Sequence, residues 1–290
     1  MITRIPDYFH SFRCLAGDCP DTCCGQWQIV VDEAAKERYL RVDGQLGERI
    51  RKSLTVIDGE DCMKLEHGKC PLLTDDGLCP IVTELGEEYL STTCHTHPRF
   101  TEIYGGLQET MLSVSCPEAA RLLLSRTEPL RFVTEIDTIL PEPDDLDADE
   151  FDLLLGARQT AFSLVQDRTR PLSDRLALLL CFAKRLQDNL TRDLPFCEAL
   201  CRRYEDRQYQ DKVLLRIRRK RRHGSMTRIR QLLATAEHLS AEFPRLLQEL
   251  ERVELTKHEI ALEQLTVYFL FRWWLKPPAM IISGSKPQPR

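Results

Sequence analysis

The sequence predicts a mainly α protein in two parts: a loop-rich, cysteine-ligated N-terminal domain and an α-helical C-terminal domain. Three observations carry that expectation. Nine of the twelve cysteines lie between Cys14 and Cys116. From Phe151 onward, leucines recur at three- and four-residue spacings, the period of a buried helical face. Between the two lies Pro141–Glu150, an acidic, proline-bearing stretch that reads as a solvated connection. The chain has 290 residues, enough for two ordinary cores. The expected organisation is 1–125 as the cysteine-rich metal domain, 126–150 as an acidic linker region, 151–276 as the helical domain and 277–290 as a disordered tail.

The N-terminal part opens with turn-forming residues around its first cysteines and then predicts a helix over Asp32–Lys52. Asp32 suits the cap, Glu33 the first turn, and Tyr39, Leu40, Leu46 and Ile50 form an apolar stripe. A second helix is expected at Ile81–Leu90. A third begins at Cys116-Pro117, where proline suits the first helical position and Ala119, Ala120, Leu122, Leu123 and Leu124 follow. Turns are marked by Asp58-Gly59, His67-Gly68, Asp76-Gly77 and Gly105-Gly106. Short strands are read near Trp27–Val31 and Gly106–Val114. In the C-terminal part, helices are expected over 148–168, 171–190, 193–210, 226–252 and 256–275, with Pro171 and Pro195 at breaks between them.

Composition narrows the class. Apolar residues make up 42% of the chain, as in a globular protein, and the net charge of −5 argues against a nucleic-acid-binding role for the whole. Met1–His10 has no basic stretch followed by an apolar one. The most apolar run, around Val267–Leu275, is too short to span a bilayer and contains Arg272. These features predict a cytoplasmic protein with no membrane partner. In a reducing compartment, clustered cysteines serve metals or redox chemistry more often than disulfides.

The densest signal is Cys14-x4-Cys19-x3-Cys23-Cys24, four thiols among the turn-formers Gly17, Pro20, Asp21 and Gly25. A second group follows: Cys70-Pro71, Cys79-Pro80, Cys94 and Cys116-Pro117, with Cys62 nearby. Proline after three of these cysteines stiffens the chain beside a ligand. Eight soft sulfur donors suit an iron–sulfur cluster or zinc. Paired C-x2-C knuckles are missing, and His95 and His97 read as exposed polar residues, which favours iron–sulfur over zinc without closing the choice. Cys181, Cys197 and Cys201 lie among helical residues and read as ordinary buried thiols.

The run Phe12-Arg13-Cys14, Cys19-x-Asp21-Thr22-Cys23-Cys24-x-x-Trp27-x-Ile29 resembles the opening of the flagellin lysine-N-methylase family. Cys70-Pro71-Leu72-Leu73, Gly77-Leu78-Cys79-x-Ile81, Cys94-x-x-x-Pro98-Arg99 and Ser115-Cys116-Pro117-Glu118-Ala119-Ala120-Arg121 are similar to it as well. The resemblance is strong over 7–125 and looser beyond. Its first motif also belongs to a broader group of zinc- or iron-chelating cysteine-cluster proteins. The resemblance implies an enzyme that methylates surface lysines of flagellin, with S-adenosylmethionine as donor and a 4Fe-4S cluster in the N-terminal region. It implies Cys14, Cys19, Cys23 and Cys24 as first-choice ligands, and Cys70, Cys79, Cys94 and Cys116 as a second set. Family members run longer, so this sequence reads as C-terminally truncated. The alternative is a non-catalytic zinc- or iron-chelating module or adaptor.

No glycine-rich strand–turn–helix fingerprint for an adenosyl ligand appears in the sequence, and residues binding that cofactor are not identified. Lysine methylation needs a neutral amine, hence a proton acceptor; Glu102, Tyr104 and Glu109 are weighed for it and read as surface residues, so no catalytic residue is assigned. The basic stretch Lys212–Arg230 lacks interleaved aromatics and reads as a solvated helical face or a dock for an acidic partner.

Overall fold

The computed structural model describes residues 1–25, 27–136, 147–220, 225–236, 242–249 and 254–276. The chain divides into two compact units. One comprises Met1–Ser125 with the segment beginning at Leu130, and the other comprises Arg126–Pro129 with the helices from 148 onward.

The first unit is α+β. Its elements are β1 (Ile2–Pro6), α1 (Glu33–Leu40), α2 (Gly44–Ser53), β2 (Leu54–Ile57), β3 (Glu60–Met63), α3 (Thr92–Thr96), β4 (Arg99–Tyr104), β5 (Leu107–Leu112), α4 (Pro117–Leu124) and β6 (Phe132–Ile136). Four strands form one sheet in the order β4-β5-β1-β6. β1 runs parallel to β5, with Ile2 opposite Leu107 and Arg4 opposite Glu109, and antiparallel to β6. β4 and β5 are a hairpin whose two-residue turn is Gly105-Gly106; Gly105 takes φ +52, the left-handed conformation such turns require. β5 is central and buried along nearly its whole length, as the run read at Gly106–Val114 suggests.

The sheet adds a small mixed β layer to an N-terminal domain expected as loop-rich. β1 and β6 bring the start of the chain to residues 132–136, inside the stretch expected as a linker. Strand pairing across that separation leaves no periodic trace in either short segment. The remainder of that acidic stretch, 137–146, and the expected tail lie outside the described residues.

The helix expected over Asp32–Lys52 is two helices. Asp32 does cap α1, its carboxylate accepting from the Ala35 amide at 3.0 Å. The chain then breaks at Asp43-Gly44, where Gly44 adopts φ +74. The break changes the helical phase, so Tyr39, Leu46 and Ile50 are buried while Leu40 is 51% exposed. Ile81–Leu85 is a single wide helical turn, followed by a 3-10 turn at Glu87–Tyr89, in place of one helix. Near Trp27–Val31 the backbone runs beside β3: Val31 N–H donates to Asp61 and Met63 N–H to Ile29.

The second unit is helical: α5 (Ala148–Gln166), α6 (Leu172–Asn189), α7 (Leu194–Glu205), α8 (Arg207–Lys220), α9 (Ser225–Thr235), α10 (Glu242–Glu249) and α11 (Glu259–Trp273). α5 packs on α6, α7 and α11, and α6 on α7 and α8. Leu178, Phe182, Leu200, Val267 and Phe271 are buried there. Pro171 caps α6 and Pro195 sits in the first turn of α7. The helix expected over 193–210 divides at Asp206, whose backbone is extended.

At the centre of this unit lies a charged cluster. The side chain of Glu263 is wholly buried and accepts from Arg175 Nη1 at 2.5 Å and Arg168 Nη2 at 2.9 Å. Arg175 is itself buried, and Arg168 also donates to the Thr127 carbonyl at 2.6 Å. Two guanidinium groups around one carboxylate supply the hydrogen bonds that a buried charge demands.

Candidate metal centre

Each cysteine of the N-terminal unit is positioned by short local structure. Cys14 precedes Ala16, which takes φ +47, a strained conformation for a residue with a Cβ; the Ala16 amide donates to Cys14 Sγ at 3.4 Å. Cys19 follows the 3-10 turn Ala16–Asp18. Cys116 sits immediately before α4, where the amides of Ala119 and Glu118 point at its sulfur. Burial raises the Cys116 thiol, those amides oppose the shift, and the nearby Cys19 and Cys14 sulfurs reinforce it.

Cys23 and Cys24 belong to different surroundings. The Cys70 amide donates to the Cys24 carbonyl at 2.7 Å, and Gly25 bridges to Lys69. Gly25 is required there: a Cβ would stand 2.3 Å from the Gly68 carbonyl oxygen. A hydrogen bond to Cys24 and burial push the Cys23 thiol far up. Burial pushes Cys70 up to about 11, with Cys79 and Cys94 adding to the shift. Cys94 is raised by burial and by its neighbours Cys79 and Cys23, against a hydrogen bond with Ser91. Electrostatically, the Cys19 and Cys14 sulfurs act on Cys116, Cys79 and Cys23 act on Cys94, and Cys79 and Cys94 act on Cys70.

Among the described residues, no three His, Cys, Asp or Glu side chains converge as a metal-ligand group. The expected metal domain is therefore not seen as a closed coordination shell. The physical reason is in the thiols. Burial raises the pKa of Cys23, Cys70, Cys94 and Cys116, and a neutral thiol has little to draw a second one in. By chemistry the donor set suits a soft metal or an iron–sulfur centre, since all eight sulfurs are free thiols, exposed or half-buried, six at loop positions, with Cys94 in α3 and Cys116 at a helix start.

Two side chains near these thiols were undervalued in the sequence. His97 is half-buried against Trp27, their rings 5.6 Å apart; its Nε2 is enclosed without a hydrogen-bond partner, and burial lowers its pKa. Trp27 Nε1 donates to the Cys23 carbonyl at 2.8 Å. The tryptophan three residues beyond Cys24 was a legible signal; His97 had none. His95 is exposed, as expected. Cys62 is a core thiol, fully buried in β3 and accepting from Gln28 Nε2.

The residues weighed as proton acceptors lie in the sheet. Glu102 and Glu109 face each other across β4 and β5, and Glu109 is buried and paired with Arg4 at 3.2 Å. In the helical unit, an open groove of about 690 Å³ lies between α5 and α7. Asp149, Asp152, Glu198 and Glu205 line it, with Arg202, above Leu153 and Leu194. Four carboxylates against one guanidinium favour a cationic side chain there.

Residues 158–280 match the FliB lysine N-methylase C-terminal domain family. The flagellar biosynthetic protein FliU of Salmonella muenchen is 29% identical over 127 residues, 41% of this chain and 75% of that protein. The lysine-N-methylases of Salmonella typhimurium (strain LT2) and Salmonella choleraesuis (strain SC-B67) are also 29% identical over 127 residues, covering 41% of this chain. The chain spans 32% of the length of those two methylases. No solved structure matches. The family match falls on the helical region, where the sequence motifs gave the looser resemblance, and begins well after Cys116. Residues 158–280 are thus similar to the C-terminal domain of FliB-type lysine N-methylases.

Proposed function

We propose that this chain takes part in N-methylation of lysine side chains on a flagellar protein, flagellin being the substrate, with S-adenosylmethionine as methyl donor and an iron–sulfur centre in the N-terminal unit. The observation that carries the reading is the match of 158–280 to the FliB C-terminal domain, together with relatives that bear the name lysine-N-methylase. Methyl transfer forms a bond between the lysine nitrogen and the methyl carbon, breaks the carbon–sulfur bond of the sulfonium, and leaves one proton to be removed from the amine. The acidic groove between α5 and α7 supports capture of a lysine-bearing segment, because its carboxylates complement an ammonium group. Soft-sulfur loops on the N-terminal unit support the iron–sulfur part of the reading, with Cys14, Cys19, Cys23, Cys24, Cys70, Cys79, Cys94 and Cys116 as donors.

The test is methyl incorporation. Chain purified without oxygen is incubated with flagellin and S-adenosylmethionine, and flagellin peptides are read by mass spectrometry. The reading expects methyl groups on lysine that disappear when the cofactor is withheld. Unmodified flagellin beside a chain that keeps its metal would replace the enzyme with a chelating module or adaptor.

A further inference from the structure

The helical unit carries two surfaces of opposite charge and matching form. One is a stripe on α8. Lys212, Leu215, Arg216 and Arg219 follow the three- and four-residue spacing of a single helix face, and all four are exposed. Val213, Leu214 and Gln210 are buried on the opposite side, where α8 packs on α6 and α7. Gln210 also ties α8 to α7 by donating to the Tyr204 carbonyl at 2.7 Å. Arg218 and Arg207 are engaged within the unit, with Asp174 and Asp167. Among the described residues, Lys212, Arg216 and Arg219 make no ion pair. Leu215, 49% exposed, stands in the middle of these cations.

The other surface is the groove between α5 and α7. Its floor is apolar, with Leu153 and Leu194, and its walls carry Asp149, Asp152, Glu198 and Glu205. Glu198 has Arg202 within 3.8 Å. Among the described residues, Asp149, Asp152 and Glu205 make no ion pair. A groove with a greasy floor and acidic walls fits a helix that presents one leucine between cations. The stripe of the same chain cannot enter it, because the contacts of Val213, Leu214 and Gln210 turn that face away from α6 and α7. The α8 stripe of another copy is under no such constraint.

We propose that the α8 stripe of one chain docks in the α5–α7 groove of a second copy, so that the chain associates head-to-tail through unlike surfaces. The acidic partner read for the basic stretch is then the protein itself. The groove is also the place read for a lysine-bearing substrate, so self-docking and substrate capture compete there; that consequence rests on the proposed function, whereas the association does not.

The experiment begins with the full, unmutated chain. Ordinary and heavy-isotope-labelled protein are mixed at low ionic strength and treated with a carbodiimide, which condenses a lysine amine with a neighbouring carboxylate. Mass spectrometry should find Lys212 joined to Asp149, Asp152, Glu198 or Glu205 in mixed-isotope pairs. Sedimentation should show association that falls away on dilution and is lost in high salt, as screening predicts. A chain that stays monomeric at low salt overturns the proposal, also where the stripe captures flagellin instead. So does association in which Lys212 is joined only to carboxylates elsewhere. A second arm exchanges the charges. Lys212→Glu, Arg216→Glu and Arg219→Glu together, or Asp152→Lys and Glu198→Lys together, should each abolish association. A chain carrying both sets should associate with itself again and not with the native chain, an outcome that mere loss of folding cannot produce. Association that survives either single exchange contradicts the contact.

Discussion

The two units reach a folded state by different means. The helical unit buries leucine and phenylalanine along period-matched faces and closes around a wholly enclosed carboxylate held by two arginines. The N-terminal unit combines a small mixed sheet with loops that bring thiols from distant positions near one another. The first arrangement is self-sufficient. The second leaves buried thiols whose pKa values are raised, without a closed ligand shell among the described residues. The contrast suggests which unit carries structure by packing alone and which is organised for a ligand.

The largest expected effect lies in the helical unit. Glu263→Ala leaves the buried Arg175 with only the Val165 carbonyl and the more distant Glu259 carboxylate at 3.6 Å, and breaking such a buried pair costs about 3–5 kcal/mol. Thermal unfolding should show that loss in the helical transition. A change of less than about 1 kcal/mol, the range of exposed ion pairs, would mean the cluster is hydrated and the unit less self-sufficient than described.

Acid sharpens the comparison on the other side. Burial tends to raise the Asp32 carboxyl, but hydrogen bonds from the Thr92 and Ala35 amides prevail and hold it below 3.8. A depressed carboxylate stabilises the fold above its unfolded pKa, and that contribution disappears as pH falls through the folded value. The N-terminal unit should therefore lose stability below pH 3.8, and Asp32→Asn should narrow its difference from the native chain as pH drops. Asp32 also caps α1, so at neutral pH the substitution should cost less than the roughly 0.5–2 kcal/mol of full cap removal, because asparagine still accepts. An equal deficit at both pH values would show that the charge contributes nothing.

The smallest effect is on the basic helix. Arg218 pairs with Asp174 at 2.7 Å, but its side chain is 64% exposed. Arg218→Ala should change stability by less than about 1 kcal/mol in a denaturant titration. A larger loss would place part of the helical unit's stability on its surface. The docking role read for Lys212–Arg230 also involves Arg221 and Arg222, which lie outside the described residues.

What the sequence disclosed follows the same division. Leucine spacing, Pro171 and Pro195 located α5, α6 and α7 within a few residues, because local period and breaker residues determine helices directly. Asp32 as a cap and the start of α4 after Cys116 were legible for the same reason. The pairing of β1 with β5 and β6 was not, since strand partners more than a hundred residues apart leave no local mark. Cysteine density marked the N-terminal segment, but spacing alone carries no information on which thiols lie side by side. The Cys24 carbonyl accepts from the Cys70 amide and Gly25 bridges to Lys69, pairings that no local pattern marks. The enclosure of His97 by Trp27 depends on a tertiary contact across seventy residues of sequence and carried no signal.

The comparison is tested most directly by hydrogen exchange on the full chain, resolved by segment, before and after removal of metal by a chelator under anaerobic conditions. Exchange should accelerate in the cysteine-bearing segments between Cys14 and Cys116, while α5, α6 and α11 keep their protection. Equal acceleration in both units, or none in the cysteine loops, would contradict it.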